Sequence, residues 1–275
     1  MTHADVEYLE AKRSVDDRAL APQVSDRLFA ELPAAPRILE AGAGTGVSIP
    51  RLLAGGVTAG SYRGVDRSGA VLSHARDRRM AELDADRTDG GFRVRDLTVR
   101  FERGDALDAF AGERADLLIA QSFLDLVPVD RAIELFEEAL VAGGLLYAPL
   151  TFDGTTIFQP DHPADEAVIS AYHDHIAAQP GRDPHAGRHV LESLRRRDGR
   201  VLAVASSDWI VRPTDGEYPA AEASFLEAIL DFVATGTASV SAADDWCSDR
   251  RDRLAAGELS YIAHQYDFLY RTAPK

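Results

Sequence analysis

Three glycines at alternate positions, Gly42, Gly44 and Gly46, follow directly on Ile38-Leu39-Glu40-Ala41. Asp66 stands 20 residues beyond the last of them. A glycine-rich turn between a strand and a helix lets a ligand approach backbone amides closely. An acid at the end of the next strand can accept both hydroxyl protons of a ribose. Residue type and spacing together point to an adenosine-containing cofactor. A second group is basic. Five of the eight histidines, His162, His173, His175, His185 and His189, fall between residues 162 and 189, and His264 follows later. His173 and His264 are the candidates for a general base. No metal centre is expected. Tyr172-His173-Asp174-His175 sets its two histidines about 200° apart around a helix. The single cysteine, Cys247, excludes a multi-thiolate zinc site and an internal disulfide.

The segments that must position these residues alternate in type. Residues 37–41 predict a strand, 47–53 a helix with Pro50 in its first turn, 62–66 a second strand and 69–83 a second helix. A polar turn is expected at 84–91, a third strand at 94–103 and a buried fourth at 116–120. A helix at 128–141 and a turn at 143–144 lead to a fifth strand ending at 150. Before all this, residues 1–36 read as two short amphipathic helices, broken at Pro22 and ended by Pro33 and Pro36. The second half predicts helices at 163–178, 187–197, 219–233 and 242–254, a strand at 201–211, and a strand or helix at 259–270. Strands alternating with helices argue for an α/β, doubly wound, mostly parallel sheet. No repeat or linker interrupts the chain. We expect one domain over 1–275, with N-terminal helices at 1–36, a cofactor-binding core at 37–150 and substrate-side elements at 151–275.

The dinucleotide fingerprint places its third glycine one residue later than Gly46. Glu40-x-Gly42-x-Gly44-x-Gly46 instead resembles motif I of the class I S-adenosylmethionine-dependent methyltransferases. The resemblance continues through residues 37–150, in Asp66, in Gly104-Asp105-Ala106, in Asp116-Leu117-Leu118-Ile119-Ala120-Gln121-Ser122-Phe123, and in Val141-Ala142-Gly143-Gly144, where Ala142 replaces the family's proline. It implies a seven-stranded Rossmann-like sheet with an antiparallel last strand, residues 201–211 and 259–270 supplying the last two. Helices near 1–36, 160–180 and 219–255 would form a substrate-side cover. It implies S-adenosylmethionine as cofactor, with Gly42, Gly44 and Gly46 forming the turn and Glu40 orienting the methionine end. Asp66 would hold the ribose, Asp105 the adenine amino group and the Ala106 amide the ring. Gln121 suits either a hydrogen bond to cofactor or substrate, or a helix cap.

The implied reaction is in-line methyl transfer to an O, N or C nucleophile of a small molecule held about 3 Å from the methyl carbon. The loop at 120–123 lacks the Asn/Asp-Pro-Pro-Tyr/Phe pattern of base-amine and glutamine-amide methylation, and no cysteine lies near it for cytosine C5 chemistry. An NAD-type Rossmann oxidoreductase, a non-catalytic binding subunit of the same fold, and methyl transfer to a protein or RNA through an open groove are the alternatives. Phe123, Trp209 and Tyr261 suit either pocket walls or core. Arg195-Arg196-Arg197 with Arg200 reads as an anion site or a solvated helix end, and Cys247 as packing.

Composition narrows the partners. The 275 residues carry a formal net charge of −15. One reading is that this charge repels nucleic acid and anionic lipid and leaves a small molecule or a basic protein as partner. Only Lys12 and Lys275 are lysine, so 28 of the 30 basic residues are arginine, and aspartates (29) outnumber glutamates (16). Such a balance resembles cytosolic proteins of extreme halophiles, whose self-repulsion is screened by salt. The acidic start of the chain, residues 1–5, has no apolar run of the secretory kind, and no segment is long enough to span a membrane. A cytoplasmic protein acting on a small molecule is expected.

Overall fold

The computed structural model describes residues 5–274; residues 1–4, most of the stretch expected not to be a secretory leader, lie outside them, as does Lys275. Three helices come first: α1 (Val6–Ala11), α2 (Arg13–Ala19) and α3 (Pro22–Glu31). The sequence predicts two. The extra break is at Lys12, which keeps helical dihedrals between α1 and α2, so periodicity alone does not reveal it. Asp5 caps α1 by accepting from the Glu7 amide at 3.0 Å, and Pro22 starts α3, where its missing N–H costs nothing.

The core then alternates as expected: β1 (Arg37–Ala41), α4 (Ser48–Ala54), β2 (Ala59–Asp66) and α5 (Gly69–Leu83). A hairpin follows, β3 (Asp86–Thr88) and β4 (Gly91–Val94), in the region expected to be a polar turn. Asp84, Gly90 and Arg95 all take positive φ and make its corners. The stretch expected to be one strand over 94–103 is therefore the end of β4, a corner, and β5 (Asp96–Arg103). Next come α6 (Ala106–Ala109), β6 (Ala115–Ile119), α7 (Val129–Ala139) and β7 (Leu140–Gln159). The fifth strand runs on well past residue 150. After α8 (Asp165–Ala177) and α9 (Ala186–Arg195), the segment expected as one strand is split at Ser207-Asp208 into β8 (Arg200–Ser206) and β9 (Trp209–Val211). α10 (Glu222–Gly236), α11 (Ala243–Ala255) and β10 (Ser260–Arg271) complete the order; residues 259–270 are strand, not helix.

The sheet order is β3-β4-β5-β2-β1-β6-β7-β10-β8, with β9 also paired to β10. The five strands from β5 to β7 are parallel, while β10 runs antiparallel to β7 and β8. Removing β3, β4 and β9 leaves the expected seven strands, so the ten-stranded sheet is that sheet with an edge hairpin and a split strand added. β1 and β6 are buried along almost their whole length, which explains their unbroken apolar runs. One face of the sheet packs on α6, α7 and α9 through Phe110, Phe136 and Leu194. The other packs on α3, α4 and α5 through Leu28, Ile49 and Leu72. A third core lies over the C-terminal strand ends. There Tyr8 and Val15 of the first helices meet Phe225, Leu230 and Trp246 of α10 and α11, on the far ends of β7 and β10 at Phe158 and Tyr261. No helix among the described residues is long and apolar enough to cross a membrane.

Candidate functional site

β1 delivers its chain end into the glycine loop between two parallel neighbours, β2 and β6. Gly42, Gly44 and Gly46 all have positive φ, +66°, +51° and +73°. A side chain at Gly42 would strike the Phe123 ring, whose nearest carbon is 2.7 Å from the Cβ position. At Gly44 a side chain would make only ordinary contacts, with Leu9 Cδ1 at 3.7 Å. Gly46 faces inward instead, toward Phe101 and Arg79. The loop and the strand ends line a cavity of about 630 Å³, which reaches Gly42 and Gly44 but not Gly46.

Three acids stand at three strand ends on this cavity. Asp66, ending β2, accepts from the Gly44 amide at 3.1 Å and the Ser68 amide at 2.9 Å. Asp105 caps α6 at the Leu107 amide, 3.0 Å away, and accepts from the Arg67 guanidinium at 2.5 Å. Arg67 holds its carboxyl below the ordinary aspartate range, against a desolvation that acts the other way. Glu40 is nearly enclosed. Its carboxylate accepts from Ser48 Oγ at 2.6 Å and from the Tyr62 hydroxyl. Burial pushes its pKa up to about 7, although both hydroxyls pull the other way. Thr45 is also buried on this wall, and its Oγ1 has no partner among the described residues.

The opposite wall comes from the cover. Lys12 is buried at the α1–α2 junction, with Nζ 3.0 Å from Ser122 Oγ, 3.4 Å from Asp16 Oδ2 and 5.1 Å from the Trp209 ring centroid. Asp16 also accepts from Trp209 Nε1 at 2.9 Å and Gln121 Nε2 at 3.3 Å. Burial raises its pKa, with Lys12 the strongest opposing charge. Two non-glycine residues on this wall, Ser122 and Leu150, take left-handed φ of +45° and +57°. Such conformations store strain. Asp267 holds the second of them, accepting from the Leu150 amide at 2.8 Å and from the Ala21 amide at 2.9 Å.

The cavity thus gathers Glu40, Gly42, Gly44, Asp66, Asp105, Ala106 and Gln121. Gln121 binds Arg51 at 2.6 Å as well as Asp16, so it ties α4 to α2 rather than capping a helix. Phe123, Trp209 and Tyr261 are walls of the cavity, and Trp209 and Tyr261 belong to the cover's aromatic core as well. The two base candidates do not line it. His173 lies against Thr156 Oγ1 at 3.0 Å, and burial lowers its pKa. His264 pairs with Asp208 at 2.7 Å on the far strands. Of the histidine cluster, His175 is the one on the cavity wall. Lys12, Asp16, Asp125 and Arg182 also line it, and sequence reasoning passes over all four. The one available signal was Lys12, the sole lysine before residue 275. Arg196 and Arg197 make ion pairs, Arg196 with Asp130 and Glu192 and Arg197 with Glu137. Among the described residues no group of three or more His, Cys, Asp and Glu is arranged to hold a metal ion.

No protein-family model matches the chain, and no characterised protein matches it by sequence. Solved structures do match. The BH2331 protein of Bacillus halodurans C-125 aligns over 92% of this chain and 99% of its own, at 12% identity and a TM-score of 0.58. An S-adenosylmethionine-dependent methyltransferase from Thiobacillus denitrificans, solved with S-adenosyl-L-homocysteine, aligns over 95% and 97%, at 21% and 0.52. The [4+2]-cyclase SpnF aligns over 98% and 94%, at 18% and 0.51. The likeness is one of architecture, and one of the three matched proteins is a cyclase, so it does not by itself assign a reaction. Strand order, the antiparallel β10 and these matches agree: the chain has the fold of the class I S-adenosylmethionine-dependent methyltransferases.

Proposed function

We propose that this protein transfers the methyl group of S-adenosylmethionine to a nucleophilic atom of a small molecule. The observation that carries the reading is the single cavity, continuous from the glycine loop and its three acids to an aromatic-walled chamber under the cover helices. The lining fits the cofactor chemically. An open backbone face at Gly44 and an orphaned buried hydroxyl at Thr45 suit a polar ligand. Glu40, Asp66 and Asp105 suit one that carries an ammonium and a sulfonium. When bound, S-adenosylmethionine supplies an electrophilic methyl on a positively charged sulfur.

In this reading Asp66 takes the ribose hydroxyls while it pins the Gly44 amide. Asp105 takes the adenine amino group and the Ala106 amide the ring, with Gly42, Gly44 and Gly46 forming the turn. Gly46 does so by letting the chain pass Phe101. Glu40 acts on the methionine end through its charge and through Ser48, and Gln121 lines the acceptor side. The cover walls the chamber opposite the glycine loop. Because its third core is built on β7 and β10 of the sheet, core and cover work as one unit.

Isothermal titration with S-adenosylmethionine, S-adenosylhomocysteine and NADH tests the reading. Binding of the first two and not the third is expected. Binding of NADH without S-adenosylmethionine overturns it. Bound cofactor without labelled methyl transfer to any small-molecule pool favours a non-catalytic binding protein.

A further inference from the structure

One charged group on the cavity wall has no role in the fold described so far. Asp125 sits in the single helical turn 124–126, directly after the loop at 120–123 that ends β6. It lines the cavity, and its Oδ1 is shielded from solvent with no hydrogen-bond donor among the described residues; the one hydrogen bond that acts on its carboxyl comes from its own backbone amide. The other buried acids of the region are satisfied: Asp16 by Lys12, Trp209 and Gln121, Glu40 by Ser48 and Tyr62, and Asp267 by two amides. The turn itself is held firmly, because the Asp125 carbonyl accepts from the Asp183 amide at 3.0 Å. A carboxylate held in place but short of donors is an acceptor waiting for a proton donor.

The charges around it select which donor. Lys12 and Arg182 both act on Asp125, as does Asp183. Arg182 lines the cavity and forms no ion pair among the described residues. An incoming ammonium would meet two cations. A hydroxyl that develops oxyanion character would be favoured by them. The cavity walls carry rings: Phe123, Phe152, Tyr172, Trp209, Phe232 and Tyr261. They suit a flat, ring-bearing molecule.

We infer that Asp125 is the general base for O-methylation of a phenol-type hydroxyl on a small ring-bearing substrate, with Lys12 and Arg182 stabilising the oxyanion as it forms. This rests on the methyl-transfer reading. The hydroxyl proton moves to the Asp125 carboxylate as the oxygen forms its bond to the methyl carbon. The carbon–sulfur bond breaks, its electron pair stays on sulfur, and a neutral thioether leaves. Burial holds the Asp125 carboxyl above the ordinary aspartate range, against the pull of its own backbone amide and of Lys12 and Arg182, which makes it a stronger base than an exposed aspartate. The other titratable groups lining the same cavity are Tyr8 from α1, Asp16 from α2, Tyr172 and His175 from α8, Tyr261 from β10 and Asp183, with Glu40, Asp66 and Asp105 on the cofactor side.

A matched trio tests this: 2-naphthol, 2-naphthylamine and 2-naphthoate, each with labelled S-adenosylmethionine. Transfer to 2-naphthol alone is expected. Asp125→Asn should cut its kcat about 100-fold, as loss of a general base does, with S-adenosylmethionine affinity unchanged by titration calorimetry. A second measurement needs no turnover. 2-Naphthol binding to the protein saturated with S-adenosylhomocysteine should weaken as pH falls through the Asp125 titration, and this pH dependence should vanish in Asp125→Asn. Preference for the amine or the carboxylate overturns the inference, as does transfer to none of the three while the cofactor binds. Full activity in Asp125→Asn, or loss in His175→Gln alone, also overturns it. If S-adenosylmethionine does not bind the wild type, the methyl-transfer reading itself has failed.

Discussion

The amide of Gly44 donates to Asp66 Oδ2 across 3.1 Å, bridging 22 residues of sequence. The acid at the end of β2 and the glycine loop after β1 are therefore one mechanical unit. The carboxylate that would meet a ribose is also what shapes the loop beside it.

Asp66→Ala should weaken S-adenosylmethionine binding more than the loss of ribose contacts alone. The Gly44 and Ser68 amides both lose a charged acceptor, at about 1.5–3 kcal/mol each before any new partner is found. Titration calorimetry should show a loss of at least about 100-fold, and Asp66→Asn should recover part of it. Equal affinity in wild type and Asp66→Ala refutes the assignment.

Two glycine substitutions should separate by what their Cβ atoms meet. Gly44→Ala pays only for left-handed backbone, about 1 kcal/mol. Gly42→Ala carries the same strain and also drives a methyl into the Phe123 ring, so denaturant midpoints should rank it clearly below Gly44→Ala. Phe123→Leu in the Gly42→Ala background should restore part of the loss.

The Glu40 carboxyl, pushed up to about 7 from an ordinary 4.5, binds its proton more tightly folded than unfolded. Its contribution to stability is complete below the unfolded value and is lost as pH rises from 4.5 to about 7. Over that window the loss is on the order of 3 kcal/mol. Glu40→Gln, permanently neutral, should escape it. Chemical denaturation at about pH 5 and about pH 8 should show the variant gaining on the wild type at the higher pH. Parallel stability profiles for the two proteins would contradict this.

Asp16→Asn leaves the Lys12 ammonium buried without its acid. A loss of about 3 kcal/mol is expected, as for other broken buried pairs. Asp16→Asn combined with Lys12→Met should lose less than Asp16→Asn alone, since no orphan charge remains. A double variant as unstable as the sum of the two single variants would exclude the coupling.

Legibility in the sequence followed the range of the interactions. The strand, glycine loop and helix at 37–54 are local, so an apolar run meeting three glycines reveals them. β7 was read short because Gly143, Leu150 and Gly154 all take positive φ inside it, and two glycines in a strand read as its boundaries. The β3–β4 hairpin was read as a turn because its strands are only three and four residues long. Lys12, Asp16 and Asp125 look like solvated helix or turn positions. Lys12 and Asp16 become cavity groups only because α1 and α2 fold across the strand ends, a tertiary event with no local signature. Trp209 and Tyr261 were ambiguous for a physical reason: each belongs to the cover's aromatic core and also faces the cavity.

β10 lies between β7 and β8 in the sheet, yet it follows both in the chain. During synthesis β8 therefore emerges before its neighbour β10, and β7 presents an open edge until the 100 residues 160–259 have been made. Open strand edges recruit other chains. The same late strand brings Asp267 to the amides of Ala21 and Leu150. The sheet is therefore completed only when β10 is inserted between β7 and β8.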